Sequence, residues 1–437
     1  MKLKRAILTL FTLALMVFTM SCNSEYTKTS GWRPNKIKTD VSSSTLNTRK
    51  IDNLSDEFIL GMDASCVPAL EAGGVQYYDQ EGNEKDVFEI LSENGINYIR
   101  VRIWNDPFTA DGKGYGGGNC DLQNAINIGK RASKYGLKLL VNFHYSDFWA
   151  DPAKQKAPKA WAGMSIDEKS DALYNFTKDC LKKLCDEGVS VGMVQIGNET
   201  NGAFCGETGN SEWGWRRITQ LMSSGAKAVR EVCPDALVAL HFTNPEKTGS
   251  YQYYCKYLEQ FDVDYDVFAS SYYPYWHGSL ENLSRVLGDI AETYNKKVMI
   301  AETSYAYTPN DSDYYTNTIG ADNPLSKQYP FSLQGQADFL HDLVDTAVNK
   351  ITNCIGVFYW EGTWISAGGS SYSENLSRWE EYGSGWASSF AAEYDPDDAG
   401  KWYGGCAVDN QAFFDSKGRA TEALKAFALF KNGNMTE

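Results

Sequence analysis

The sequence predicts a (β/α)₈ TIM barrel, a single α/β domain with long loops after its seventh and eighth strands. Three observations carry that prediction. Apolar, strand-like runs recur eight times between residues 57 and 362, segments with helical spacing lie between them, and glycine-terminated helix ends precede several of the runs. No Gly-rich phosphate loop follows the first run, which argues against an open, doubly wound sheet.

The runs are Phe58–Ser65, Tyr98–Trp104, Lys138–Tyr145, Val191–Glu199, Ala236–Phe242, Val267–Pro274, Lys297–Thr303 and Cys354–Gly362. They are largely continuous apolar stretches, as expected of parallel strands covered on both faces. Helical spacing shows first in Val87, Phe88, Ile90 and Leu91, then in Leu122, Ala125, Ile126 and Ala132. In the seventh helix Phe339, Leu343 and Ala347 repeat at i, i+4 and i+8, and Gly418–Phe430 supplies the eighth. Asn94-Gly95, Tyr135-Gly136 and Glu187-Gly188 are the expected C-caps. Residues 304–332 and 363–412 exceed ordinary loop length and follow strands seven and eight, so they are expected to wall a site on the C-terminal face.

The two ends differ from this pattern. Lys2, Lys4 and Arg5 precede the apolar stretch Ala6 to Met20, which is short for a membrane span and reads as an export signal. Cys22 directly after it resembles a bacterial lipoprotein site, although Thr19 stands where that motif usually has Leu. Residues 1–22 are therefore expected to be a lipoprotein-type signal peptide, with simple secretion as the alternative. Residues 23–56 are rich in Ser, Thr, Asn and Lys and predict a flexible tether. Residues 57–437 are the barrel, expected as a monomer exported to the cell surface or outer membrane on a lipid anchor.

Composition bounds the partner. The net charge of −15, from 41 basic and 56 acidic residues, speaks against nucleic acid and leaves a neutral polymer as the better fit. Twelve Trp and 27 Tyr suit stacking on the apolar faces of sugars. Ten cysteines include Cys22; the remaining nine are scattered and odd in number, which argues against a disulfide framework and a zinc site. One or two disulfides stay open, and sequence does not pair them.

Two strand exits carry the chemistry. The fourth run ends in Asn198-Glu199 and the seventh in Glu302. Strands three apart in a closed eight-strand barrel face each other across its mouth, so the two carboxyls flank one cleft. Cleavage of a glycosidic bond needs such a pair: one carboxyl with a raised pKa to protonate the leaving oxygen, and a second to attack or to activate water.

Five further segments sharpen this. They are Arg100-Val101-Arg102-Ile103-Trp104-Asn105-Asp106-Pro107, His144 within Phe143–Pro152, Ser271-Tyr272-Tyr273-Pro274-Tyr275-Trp276-His277, Phe358-Tyr359-Trp360-Glu361 and Ala407–Asp415. With the two glutamates they make residues 57–430 resemble glycoside hydrolase family 53 of clan A, the retaining endo-β-1,4-galactanases. The resemblance implies Glu199 as acid/base and Glu302 as nucleophile, no catalytic cofactor, and β-1,4-galactan side chains of pectin as substrate. By position, Arg102 on the rim of strand two, or alternatively Arg100, is expected to keep Glu302 ionised, and Tyr273 at the end of strand six to hydrogen-bond it. Asn198 resembles the amide that binds the sugar 2-hydroxyl. His144, Asp147 and Trp149 are expected at the substrate, with Trp360 as stacking platform and Trp364 extending it. Another clan A glycanase, such as a mannanase or xylanase, and a glycan-binding lipoprotein on an inactive barrel are the alternatives.

The loop Asp311-Ser312-Asp313-Tyr314-Tyr315-Thr316-Asn317 places oxygen-bearing side chains at i, i+2 and i+6. A backbone carbonyl at i+4 would complete the echo of loops that wrap a hard cation. It resembles the calcium-bearing loop of bacterial family members, with structural Ca²⁺ held by Asp311, Asp313, Tyr315, Asn317, Cys406 and Asp409. The family has Ser where Cys406 stands, so Cys406 would give only its carbonyl. The bland alternative is a polar turn.

Overall fold

The computed structural model describes residues 34–323 and 328–434. Eight parallel strands close into a barrel in sequence order: β1 (Ile59–Asp63), β2 (Tyr98–Ile103), β3 (Lys138–Phe143), β4 (Val191–Ile196), β5 (Leu237–Phe242), β6 (Val267–Ser271), β7 (Lys297–Glu302) and β8 (Cys354–Tyr359). All eight expected strands are present. Most end short of their apolar runs, because the aromatic and apolar residues that follow pack into rim turns instead of the ladder. The barrel helices are α1 (Val87–Glu93), α2 (Leu122–Lys134), α3 (Ile166–Asp186), α4 (Glu212–Val232), α5 (Ser250–Gln260), α6 (Leu280–Tyr294), α7 (Leu333–Asn349) and α8 (Ala426–Asn432). Side-chain oxygens of Asp86, Asp121, Ser165, Ser211, Ser279 and Ser332 cap α1 to α4, α6 and α7 at backbone N–H groups that have no partner within the helix. The expected C-cap glycines 95, 136 and 188 all sit at positive φ. The eighth helix begins later than its spacing suggests: a 3₁₀ turn, Glu422–Lys425, precedes α8.

Period-2 alternation sorts each strand. Odd positions of β2 face the axis: Tyr98 joins Ile59, Leu140, Met193, Ala239, Val267, Met299 and Phe358 in an apolar plug at the bottom. Gly61 is required there, since a Cβ would lie 2.2 Å from the Phe358 ring. Above the plug the same alternation places Arg100, Asn142, Gln195, His241 and Asp63, all buried. The interior thus turns from apolar to charged toward the C-terminal mouth, where active sites of this architecture lie.

The segment 34–56 departs from the expected tether. Leu46 and Ile51 are buried, Ile51 N–H donates to the Phe430 carbonyl (2.8 Å), and Lys38 N–H to that of Glu93 (3.0 Å). Isolated apolar residues in a polar composition are enough to seat it against α1 and α8. Asn35 donates to the Tyr135 carbonyl at the C-terminal end of α2, so this strap meets the barrel on the face opposite the mouth. Residues 1–33, which include the expected signal peptide and the start of the expected tether, lie outside the described residues. Among the described residues no helix is long and apolar enough to cross a membrane.

Candidate active site

Glu199 follows β4 through Gly197 (φ +82°) and itself adopts φ +48°, a left-handed conformation that costs a side-chain-bearing residue about 1 kcal/mol or more. That turn presents its carboxyl to the barrel mouth. Glu302 reaches the mouth by a different device. Ser270 pairs with Ile300 but Ser271 pairs with Glu302, leaving Ala301 as an extra residue in β7. The bulge turns Glu302 inward, where strict alternation would have turned it out.

Both glutamates line one cleft of about 310 Å³ with Arg102, His144, Trp149, Asn198 and Trp360. Thr318, from the loop after β7, and Ala407 and Val408, from the loop after β8, complete its wall as expected. Lys154 ties the loop after β3 to the loop after β8 through Asp395 (3.0 Å) and Asp398.

The two carboxyls are supported unequally. Arg100 Nη2 donates to Glu302 Oε1 (2.8 Å), and the Tyr273 hydroxyl donates to Glu302 Oε2 (3.1 Å). Glu199 has no cation bonded to it among the described residues; Oε1 receives a neutral hydroxyl from Ser271 (2.5 Å), and Thr243 is the other side chain that favours its ionised form. Burial first, then the Glu302 charge, pushes the Glu199 carboxyl up to about 8. Burial also raises Glu302, while Arg100 and Tyr273 pull it back. Within the pair, the carboxyl holding a guanidinium and a phenol gives up its proton first, so Glu302 ionises before Glu199.

Arg100, not Arg102, is therefore the partner of Glu302. Arg102 ends one inward position higher on β2 and turns aside: Nη1 donates to Glu361 Oε1 (2.5 Å) and Asp63 Oδ1 (3.3 Å), and its guanidinium lies 4.3 Å from the Trp149 ring. Arg100 is also tied to Asp63 (3.0 Å) and to Asn198 Oδ1 (2.8 Å). Asn198 Nδ2 donates to the Ala150 carbonyl (2.9 Å), so this amide is fixed at the edge of the cleft.

His144 is buried, with Nδ1 accepting from Trp104 Nε1 (3.0 Å) and from Ala150 N–H (3.2 Å). Two donors on Nδ1 leave the proton on Nε2, a buried atom with no partner among the described residues, and His144 is one of the residues lining the cleft. Burial and two neighbouring arginines hold its pKa well below the usual range, so the ring stays neutral. Asp147 differs from expectation. Its oxygens accept from the backbone N–H of Asp106 (3.0 Å) and Lys159 (2.6 Å), away from the cleft, and it braces the loop that carries Trp149. Trp364 is almost fully buried; it stacks at 15° on Trp149, donates to the Ser384 carbonyl and reaches the cleft lining behind the aromatic wall. Trp149 and Trp360 are the partly exposed faces of that wall.

Ligating oxygens of Asp311, Asp313 and Asp409 lie within 4.8 Å of one another. Asp313 and Asp409 are buried, and among the described residues neither has a Lys or Arg in ion-pair range. Burial and the Asp409 charge push Asp313 up to about 8. Asn317 donates to Asp409 Oδ1 (2.7 Å), and its own Oδ1 is buried with no partner. Cys406 meets the cluster by its backbone N–H, which donates to Asp313 Oδ2 (2.7 Å), and Tyr315 N–H donates to Asp313 Oδ1 (2.8 Å). Both acids are thus held by neutral donors alone, with Ser312 also donating to Asp409 and the orphaned amide oxygen of Asn317 beside them.

Sequence reading missed Ser271, His241, Asp63 and Glu361 as site residues. All but Glu361 stand at inward positions of their strands, a signal available once the barrel phase is known.

Comparison with known proteins agrees with this geometry. The family model described as glycosyl hydrolase family 53 matches residues 59–427. The chain is 52% identical over 404 residues to an endo-beta-1,4-galactanase of Bacillus subtilis (strain 168), covering 92% of each chain. It is 33% identical over 394 residues to an arabinogalactan endo-beta-1,4-galactanase of Cellvibrio japonicus (strain Ueda107), covering 88% of this chain and 93% of that one. A solved family 53 catalytic domain from Ignisphaera aggregans superposes with a TM-score of 0.78 at 37% identity, covering 88% of this chain and 99% of that one. A buried, unequally supported carboxyl pair on strands four and seven, in a chain matched over its whole barrel, leads to one assignment: the chain belongs to glycosyl hydrolase family 53.

Proposed function

We propose that the protein is a retaining endo-β-1,4-galactanase acting on type I (arabino)galactan side chains of pectin, with Glu302 as nucleophile and Glu199 as acid/base. The unequal support of the two carboxyls carries this reading. Glu302, ionised by Arg100 and Tyr273, attacks the anomeric carbon while Glu199 protonates the leaving oxygen; Glu199 then deprotonates the water that releases the sugar. The His144 N–H and the Asn198 amide grip the sugar, and Trp149 and Trp360 stack on it. The galactanase relatives support the substrate class. Incubation with galactan, mannan and xylan in parallel is the test: short galacto-oligosaccharides from galactan alone are expected, and equal release from mannan or xylan overturns the substrate assignment.

The same reading includes export and lipidation at Cys22, which metabolic labelling with a fatty acid tests, and action as a monomer.

Structural calcium also belongs to this reading, held by Asp311, Asp313 and Asp409 with Asn317 beside them. The ion would neutralise two buried acids and pin the loop after β7 to the turn that carries Asp409. A chelator is expected to lower Tm by several degrees, with added Ca²⁺ restoring it and Mg²⁺ not. An unchanged Tm removes calcium from the reading.

A further inference from the structure

Behind Glu199 stands a chain of side chains that the double displacement does not itself require. Ser271, the last residue of β6, donates to Glu199 Oε1 (2.5 Å). His241 Nε2, on β5, lies 2.9 Å from the same serine oxygen. His241 Nδ1 faces the Gln195 amide nitrogen (3.0 Å), the backbone N–H of Glu199 (3.4 Å) and Asn198 Oδ1 (3.2 Å). That oxygen already accepts from Arg100 (2.8 Å), Asn142 and Gln195, so the two donors decide the tautomer and the ring proton sits on Nε2. A serine that accepts from His241 has one direction left for its own proton, toward Glu199. Ser271 and His241 are fully buried, and Glu199 is partly buried at the cleft.

We propose that Ser271 and His241 are a positioning pair for Glu199: His241 aims the Ser271 hydroxyl at Oε1, which keeps the transferable proton on Oε2 and holds the carboxyl in place as it changes between acid and base. This deepens the proposed function and rests on Glu199 being the acid/base.

The surroundings make the contribution readable. Glu302 on β7 and Asp151 after β3 both raise the Glu199 pKa; Arg100 on β2 is engaged with Glu302 and Asp63. Lys154, in the same cleft, is paired with Asp395 and Asp398. Ser271 and Thr243 are the groups that favour the ionised form of Glu199. His241 stays neutral, because burial and Arg100 hold its pKa far below the usual range. The basic limb of the pH profile therefore belongs to Glu199, and the hydroxyl of Ser271 sets part of it.

The test compares wild type, Ser271→Ala, Ser271→Thr, His241→Asn and Glu199→Ala, each checked for Tm. Loss of a hydroxyl that favours the carboxylate raises the Glu199 pKa. In Ser271→Ala the basic limb of kcat/KM on galactan is expected to move up by about 1 pH unit, with the acidic limb unmoved. His241→Asn moves it the same way by less, and Ser271→Thr, which keeps the hydroxyl, returns it. On a galactobioside with a dinitrophenolate leaving group, which needs no acid, the burst rate of Ser271→Ala is expected to match wild type while its rate on galactan falls about tenfold. A basic limb that stays in place, or both limbs moving together, overturns the pairing. Glu199→Ala separates the two ideas: if it loses as much rate on the dinitrophenyl substrate as on galactan, the acid/base reading fails, whatever Ser271 does.

Discussion

Glu302→Ala is expected to lower kcat on galactan on the order of 10⁵-fold or more, because no other carboxyl of the pair can form the glycosyl-enzyme. Binding of galacto-oligosaccharides should remain measurable by calorimetry, since the aromatic wall and the His144 N–H are untouched. Folding should be little affected: Arg100 keeps Asp63 (3.0 Å) and Asn198 (2.8 Å) as partners, so no buried cation is orphaned. Azide, small enough to occupy the vacated side, should restore turnover and give a galactosyl azide of inverted anomeric configuration. Wild-type turnover by the variant, or an azide product with retained configuration, sinks the nucleophile assignment.

How far the sequence discloses such a site depends on which interaction decides it. The eight strands and the glutamates at exits four and seven were legible, because burial on both faces writes continuous apolar runs and polar residues stand out at their ends. Arg100 and Arg102 were not separable by spacing. Both are inward positions of β2, and only the height of each above the apolar plug decides which one meets Glu302. Asp147 looked like a substrate contact because it lies between His144 and Trp149, yet two backbone N–H groups claim it. The strap at 34–56 was illegible for another reason. A composition reading averages over residues, whereas Leu46 and Ile51 are held individually.

The arginine that meets Glu302 gives the second large effect. Arg100→Met is expected to cost about 3–5 kcal/mol of stability, the usual consequence of removing one partner from a buried ion cluster. Asp63 keeps Arg102 (3.3 Å) and Ser65 (2.6 Å), whereas Glu302 is left with Tyr273 alone. Burial then acts on Glu302 without its main opponent, and its pKa, already raised, rises further. A folded-state pKa above the unfolded one contributes stability at low pH that is lost as pH climbs through the folded value. The Tm deficit of the variant should therefore widen from pH 5 to pH 8. The acidic limb of kcat/KM should move up, since the nucleophile must ionise, while the basic limb set by Glu199 stays nearer its place. Arg100→Lys restores charge but not the fork that spans Asp63, Asn198 and Glu302 together, so only partial recovery is expected. Arg102→Met supplies the contrast: it loosens Glu361 and the packing under Trp149 but leaves the acidic limb where it was. If Arg102→Met shifts that limb and Arg100→Met does not, the ionisation of Glu302 is controlled from the other position.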